Sequence, residues 1–465
     1  MTNPYAHLPA YIIADKVRVG EVSPTRLIEA TLEHAQGSGE RLNCFVELFP
    51  DTAMKEAELI ERQIRDGRKL GPLAGVPVSV KDLIAVRGAP LRLGSRLTPA
   101  APAAEDAVAV QRLRDAGAII IGKTTTSEFG CKAVGDSPLT GMTRNPWHIG
   151  HTPGGSSAGA AASVAAGITP VALGTDGGGS LRIPAAFTGL VGFKAQFARV
   201  PAWPRSATPT LTHLGPIARD SRDAALMLHV LAGEDWRDPG SQGLPPLSAW
   251  PPESAGVQGL RLAWCPDFGY VEPDADVLAC CEGMIEHFRE GGATVYECLP
   301  PFADPEATWQ AEFYGAISYR VRSLGHDEAL IDPIVRDCLD AASHLSMLDY
   351  QHHATRRLEL GDSVRAFFRE CDVLISPTLP VTAPLLGTDI PARMTKKDPV
   401  TWCGYTYPFN LTGNPAVSVP AGFSASGLPV GMQLVGRYGD ESTLLRLTHW
   451  LQETTKWARH VPPAD

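Results

Sequence analysis

Gly75-Val76-Pro77-Val78-Ser79-Val80-Lys81-Asp82, then a stretch opened by Glu105-Asp106 and carrying Val108, Val110 and Leu113, then Ala118-Ile119-Ile120-Ile121: this succession decides the fold class. The two apolar runs are short and rich in β-branched residues, so they read as strands. The segment between them has the spacing of an amphipathic helix. Strand, helix, strand in that order sets helices on the faces of a sheet and makes the class α/β. Outward from there the pattern continues. Residues 156–167 are almost wholly Ala, Ser and Gly, which suits a helix pressed closely against a sheet, and Val171-Ala172-Leu173-Gly174 is a further short strand. Residues 220–231 read as a capped helix, 260–265 and 293–298 as strands flanking a helix, and 305–370 as mostly helical. Residues 372–376 and 416–419 read as strands, and 441–452 as a closing helix.

Residues 1–60 read as a helical packing arm, with Ser23-Pro24-Thr25 as a helix start and Leu27, Ile28 and Leu32 as its apolar stripe. The Pro/Gly/Ser-rich stretch 238–259 reads as a surface connection. At 465 residues and 44% hydrophobic content the chain can bury a large core. Its 41 basic and 51 acidic residues give a net charge of −10, and no Lys/Arg-rich run tracks a phosphate backbone, which argues against direct nucleic-acid binding. The opening Met1-Thr2-Asn3-Pro4-Tyr5 has no basic segment leading into an apolar one, and no window reaches the ~18 apolar residues of a membrane span. A soluble, cytoplasmic protein is expected. Nine cysteines at irregular positions, with no C-x-x-C pair, read as reduced thiols, and neither a structural metal nor a cofactor is called for.

The chemistry lies in the apolar strand and in two glycine-serine clusters, Gly154-Gly155-Ser156-Ser157 and Asp176-Gly177-Gly178-Gly179-Ser180. In the strand, Val76, Val78 and Val80 share one face while Ser79 and Lys81 share the other. A lysine titrates near ~10.4, so service as a base near neutrality requires an environment favouring the neutral amine by about 4 kcal/mol. Burial can provide it; a lysine at a strand end with its head in solvent is the competing reading. Three successive glycines let the backbone turn several N–H groups into one concavity, suited to a developing oxyanion, with the Ser180 hydroxyl beside them. A phosphate cradle is the alternative there, but G-x-G-x-x-G spacing is absent.

Two other motifs compete. Gly117-Ala118-Ile119-Ile120-Ile121-Gly122-Lys123-Thr124 matches the P-loop pattern, yet its middle is a buried strand where a P-loop needs a loop. A Ser-His-Asp arrangement would draw on His148, His151 or His213, which read as residues of Pro/Gly-rich loops, and no G-x-S-x-G elbow is present.

Taken in order, several elements resemble the amidase signature family: Gly75 to Asp82; Gly122-Lys123-Thr124 through Glu128-Phe129; Thr143-Arg144-Asn145-Pro146-Trp147; Pro153-Gly154-Gly155-Ser156-Ser157; and Gly174-Thr175-Asp176-Gly177-Gly178-Gly179-Ser180-Leu181-Arg182-Ile183-Pro184. The likeness runs from about residue 20 to 455 and is densest between 75 and 220. It implies an α/β/α sandwich around a mixed central sheet, with residues 61–465 as one catalytic domain. It further implies a Ser-cisSer-Lys triad: Ser180 the nucleophile, Ser156 the relay, Lys81 the base. The amides of Gly177, Gly178, Gly179 and Ser180 would form the oxyanion hole, supported by Ser157, Asp176 and Arg182. Two departures stand out. Ala158 replaces a frequent glycine after the serine pair, and Gly177 occupies a position often held by a larger residue.

The leading functional expectation is a free-standing amidase that cleaves the C–N bond of carboxamides or aryl amides through an acyl-enzyme, extending to carbamates (urethanes) or esters. Phe129, Trp203, Trp402 and Tyr405 are the expected pocket walls, favouring a small hydrophobic or aryl substrate. The alternative is the glutaminase component of a tRNA-dependent amidotransferase, and a catalytically silent scaffold is a third. Monomer and homodimer are both open.

Overall fold

The computed structural model describes residues 3–247, 256–325, 327–396 and 398–463. In chain order the strands are β1 (Phe45–Leu48), β2 (Pro77–Lys81), β3 (Ile119–Thr124), β4 (Asp136–Ser137), β5 (Gly141–Met142), β6 (Val171–Asp176), β7 (Val191–Lys194), β8 (His213–Ala218), β9 (Arg261–Trp264), β10 (Thr294–Glu297), β11 (Val373–Pro377), β12 (Ala416–Phe423) and β13 (Pro429–Gly436). All but the small β4–β5 pair join one eleven-stranded sheet in the order β1-β3-β2-β6-β8-β7-β12-β13-β11-β9-β10. The sheet is mixed: β2 runs parallel to β3 and β6, whereas β8 is antiparallel to β6 and to β7. Helices cover both faces, giving the expected α/β/α sandwich.

β2 and β3 are buried along their whole length, and so the Gly117 to Thr124 match to a P-loop is a core strand. The valine face of β2 packs with Ile119, Ile120, Val171 and Leu173 in the largest apolar core. On the other face lies the helix Ala158–Ala165, where Ser79 Oγ meets Ser163 Oγ at 3.0 Å. Small residues are a requirement there. A Cβ on Gly159 would stand 2.2 Å from the Cys44 carbonyl oxygen, so the helix can come this close only with glycine at that point.

The first sixty residues are helical at Ala10–Arg18 and Pro24–Leu42, with Ser23 capping the second helix, but they also supply β1, which pairs with β3. Residues 305–370 carry the helices Glu306–Arg322, Pro333–Ser343 and Met347–Phe367. The surface connection expected at 238–259 lies partly outside the described residues; its described start is a short 3₁₀ turn, Pro239–Ser241. Among the described residues no helix is long and apolar enough to cross a membrane.

Candidate active site

Lys81 is the last residue of β2 and Asp176 the last of β6. Parallel pairing sets Val80 beside Leu173, so the Lys81 side chain leaves the sheet next to Thr175. Ser156 stands just before the helix that covers this face. Ser157, its N-cap residue, donates from Oγ to the Thr175 carbonyl at 3.1 Å and fixes the segment to the end of β6. Ser180 lies on the turn that follows β6. The fold therefore gathers three distant residues in one line. Lys81 Nζ is 2.6 Å from Ser156 Oγ and 2.9 Å from Thr175 Oγ1, and Ser156 Oγ is 2.9 Å from Ser180 Oγ. The Gly155–Ser156 peptide bond is cis, as is Trp203–Pro204.

Lys81 is wholly buried, which removes the reading with its head in solvent. Burial lowers its pKa well below the ordinary lysine value, and the negative charge of Asp176 opposes this only in part. That charge is already spoken for. Asp176 forms a buried pair with Arg182, with Nε–Oδ2 and Nη2–Oδ1 distances both 2.9 Å, and it accepts from the Gly179 and Leu181 amides. Burial alone would raise the Asp176 pKa, but Arg182, Lys194 and the Asn410 amide outweigh it and hold the carboxyl well below its usual range.

The glycine turn needs one correction. The Gly179 N–H points to Asp176 Oδ1 at 2.7 Å, so it is not open to an incoming oxygen. The amides of Gly177, Gly178 and Ser180 donate to no acceptor among the described residues. The histidines are also corrected in part: His213 lies buried in β8, where Nδ1 sits 2.8 Å from the Leu211 carbonyl and Nε2 faces Lys194 Nζ at 3.4 Å. Among the described residues, no histidine is hydrogen-bonded to Ser156 or Ser180.

A cavity of about 140 Å³ opens over Ser180, Ser156 and Thr175. Its walls include Leu83, Ile84, Leu91, Phe129, Trp203 and Phe313. Phe129 and Trp203 are thus where the sequence put them. Trp402 and Tyr405 are not: both are core residues, Trp402 stacking on Phe187 and donating to the Asp389 carbonyl, Tyr405 donating to the Pro266 carbonyl at 2.6 Å.

The amidase family model matches residues 26–445. The chain belongs to the amidase family. It is 35% identical to an acylamidase of Rhodococcus erythropolis, over 99% of this chain and 98% of that protein. It is 36% identical to the A component of the glutamyl-tRNA(Gln) amidotransferase of Symbiobacterium thermophilum, over 94% of each. The crystal structure of a bacterial aryl acylamidase of the amidase signature family superposes with a TM-score of 0.92 at 29% identity, covering 98% of both chains.

Near Lys81, Ser156 and Ser180 this amidase-family chain places residues that no motif announced. Arg182 also donates to the Thr406 carbonyl, Gln433 Oε1 and Asn410 Oδ1, and Asn410 Nδ2 returns to Asp176 at 2.8 Å. A signal was present: Asn410 and Gln433 are amides inside apolar runs, and a buried amide needs partners. The departure at Gly177 has a counterpart in Phe313, whose ring atom Cε2 would lie 3.0 Å from a Cβ there. Trp309 Nε1 donates to the Gly177 carbonyl at 2.9 Å, so the helix Glu306–Arg322 braces the turn.

Replacing Arg182 by Leu removes the ion-pair partner of buried Asp176, and the expected cost is about 3–5 kcal/mol in urea unfolding. Because the native Asp176 pKa is lowered, the pair's contribution is full above the usual carboxylate value of about 3.9 and is lost as pH falls through the lower native value. The gap between wild type and Arg182→Leu should accordingly narrow in acid.

Proposed function

We propose that this chain is a free-standing serine hydrolase that cleaves the C–N bond of small amides through an acyl-enzyme. The observation that carries the reading is the buried chain of polar atoms from Lys81 Nζ through Ser156 Oγ to Ser180 Oγ, at 2.6 and 2.9 Å, under an apolar cavity. Neutral Lys81 takes the proton of Ser156 as Ser156 takes that of Ser180, and Ser180 Oγ forms a bond to the carbonyl carbon. The carbonyl electron pair moves onto oxygen, within reach of the free amides of Gly177, Gly178 and Ser180. When the intermediate collapses, the proton returns along the same path to the leaving nitrogen and the amine departs. Water then takes the amine's place, giving one proton to the relay, attacking the acyl carbon and restoring Ser180. Residues 61–465 carry the catalytic site, and residues 1–60 join the same domain, adding helices and the edge strand β1 to its sheet.

The cavity bears on substrate class. Its volume resembles that of interior cavities that admit a benzene ring, and among the described residues its wall contains no Asp or Glu. An aryl or short aliphatic amide suits such walls, and so does the corresponding carbamate or ester, since each presents a carbonyl with a leaving group. The similarity to the A component of amidotransferases supports a second reading, glutamine as ammonia donor. Glutamine carries an ammonium as well as a carboxylate, and among the described residues no wall carboxylate meets the ammonium. The test is turnover by the purified chain alone of a 4-nitroanilide and of glutamine. Anilide hydrolysis is expected; glutamine hydrolysis without anilide hydrolysis would replace the first reading by the second.

A further inference from the structure

The helix Glu306–Arg322 does more than brace the glycine turn. Trp309, Phe313, Ile317 and Arg320 are spaced so that they fall on one face of it. The first two sit on the turn beside Ser180, Trp309 through its bond to the Gly177 carbonyl and Phe313 by packing over Gly177. Phe313, Ile317 and Arg320 all line the cavity, and along the helix they lead away from the end that Trp309 holds at the glycine turn. With a rise of 1.5 Å per residue, Arg320 is roughly 10 Å further along the axis than Phe313. The cavity is therefore apolar beside the serines and cationic at its far end. Arg205, on the loop that follows Trp203, adds a second guanidinium to the same lining. Both arginines are exposed, and among the described residues neither side chain has an ion-pair or hydrogen-bond partner. Among the described residues no carboxylate of the wall neutralises them.

We infer that the far end of this cavity is an anion subsite, and that the substrates it favours are amides whose apolar chain ends, about two helical turns beyond Phe313, in a carboxylate that Arg320 and Arg205 receive. Glutamine, whose carboxylate is only a few bonds from its amide, is too short to engage it. The inference rests on the acyl-transfer reading above, and it adds length and charge to the substrate class.

The test compares matched substrates. In one arm, half 4-nitroanilides of succinic, adipic, suberic and sebacic acid are set against neutral acyl 4-nitroanilides of equal chain length. In the other, butyramides of ω-amino acids are set against butyramides of the matching alkylamines, with release of the amine followed. The carboxylated compound should exceed its neutral match in kcat/KM by about three- to tenfold at an intermediate length, in whichever arm places the chain in the cavity. That advantage should fade as salt screens the exposed charges. Arg320→Gln should reduce the ratio, and Arg320→Glu should reverse it in favour of a chain ending in an ammonium, a response that mere loss of packing would not produce. Hydrolysis of the neutral compounds with no preference for the carboxylate in either arm, or a ratio unmoved by Arg320→Glu, would overturn the subsite and leave the hydrolase reading standing. Failure to hydrolyse any amide would instead count against that reading.

Discussion

Ser180→Ala is expected to lower amide turnover by about 10⁴-fold or more and to abolish labelling by a serine-directed phosphonate, with the unfolding midpoint almost unchanged. The Ser180 hydroxyl is held by a single side-chain hydrogen bond, from Ser156, and sits at the cavity floor rather than in the packed core. Its removal thus costs little stability. Its chemical loss is large because the acyl group has nowhere to bond, and what remains is the binding and polarisation supplied by the surrounding amides. Residues that act as one unit are far from additive when removed together. Ser156→Ala and the double variant Ser156→Ala/Ser180→Ala should therefore lie close to Ser180→Ala, not at the product of the single losses. Steady-state turnover, gel-based labelling and thermal unfolding on the four proteins check this. Persistent labelling of Ser180→Ala would place the nucleophile elsewhere.

The part of the molecule that was legible in the sequence is the part where local pattern and tertiary role agree. Val76, Val78 and Val80 announce a strand because they pack into one core, and Ile119 to Ile121 do so because their strand is buried on both faces. The alanine-rich run announces a close-packed helix for the reason that Gly159 shows at the Cys44 carbonyl. Where pattern and role part, the reading failed. β8 contains Gly215 and Pro216, which mark a loop in most sequences. The proline is tolerated in mid-sheet because the pairing of β8 with β7 stops at Ile217, before Pro216. β1 lies in a helical neighbourhood, is four residues long, and pairs with the sheet edge at only three of them. β13 mixes glycine, methionine and glutamine, and Gln433 is there for Arg182. Trp402 and Tyr405 were read as pocket walls from their aromatic, proline-rich surroundings. Sequence does not say whether a tyrosine hydroxyl or an indole N–H meets a substrate or a backbone carbonyl, and here both meet carbonyls. The same limit explains Gly179. Three glycines in a row give three amides, but only the folded turn shows that one of them is committed to Asp176.

Lys81→Ala is expected to slow acylation by about 10²–10⁴-fold, the usual range for a positioned general base, and to remove the pH dependence that the lysine imposes. The sign follows from burial. Because the amine is shut away from solvent, its pKa lies well below the ordinary lysine value and a neutral fraction exists where an exposed lysine would be almost wholly charged. The neutral form is the one that accepts a proton from Ser156, so the single-turnover acylation rate should rise with pH through the native pKa of Lys81 and then level off. Stability should move the same way. Between the lowered native pKa and the unfolded value near ~10.4, the unfolded chain binds more protons, so the protein gains stability as pH rises through that window. Lys81→Ala should lose both trends together, and a small primary amine added to the medium should restore part of the rate by occupying the space left beside Ser156 and Thr175. Arginine at this position should not substitute, since a guanidinium keeps its proton at any pH the protein survives. If Lys81→Ala retained the rising limb in single-turnover acylation, the base would be another group and the line from Lys81 to Ser180 would be structural only.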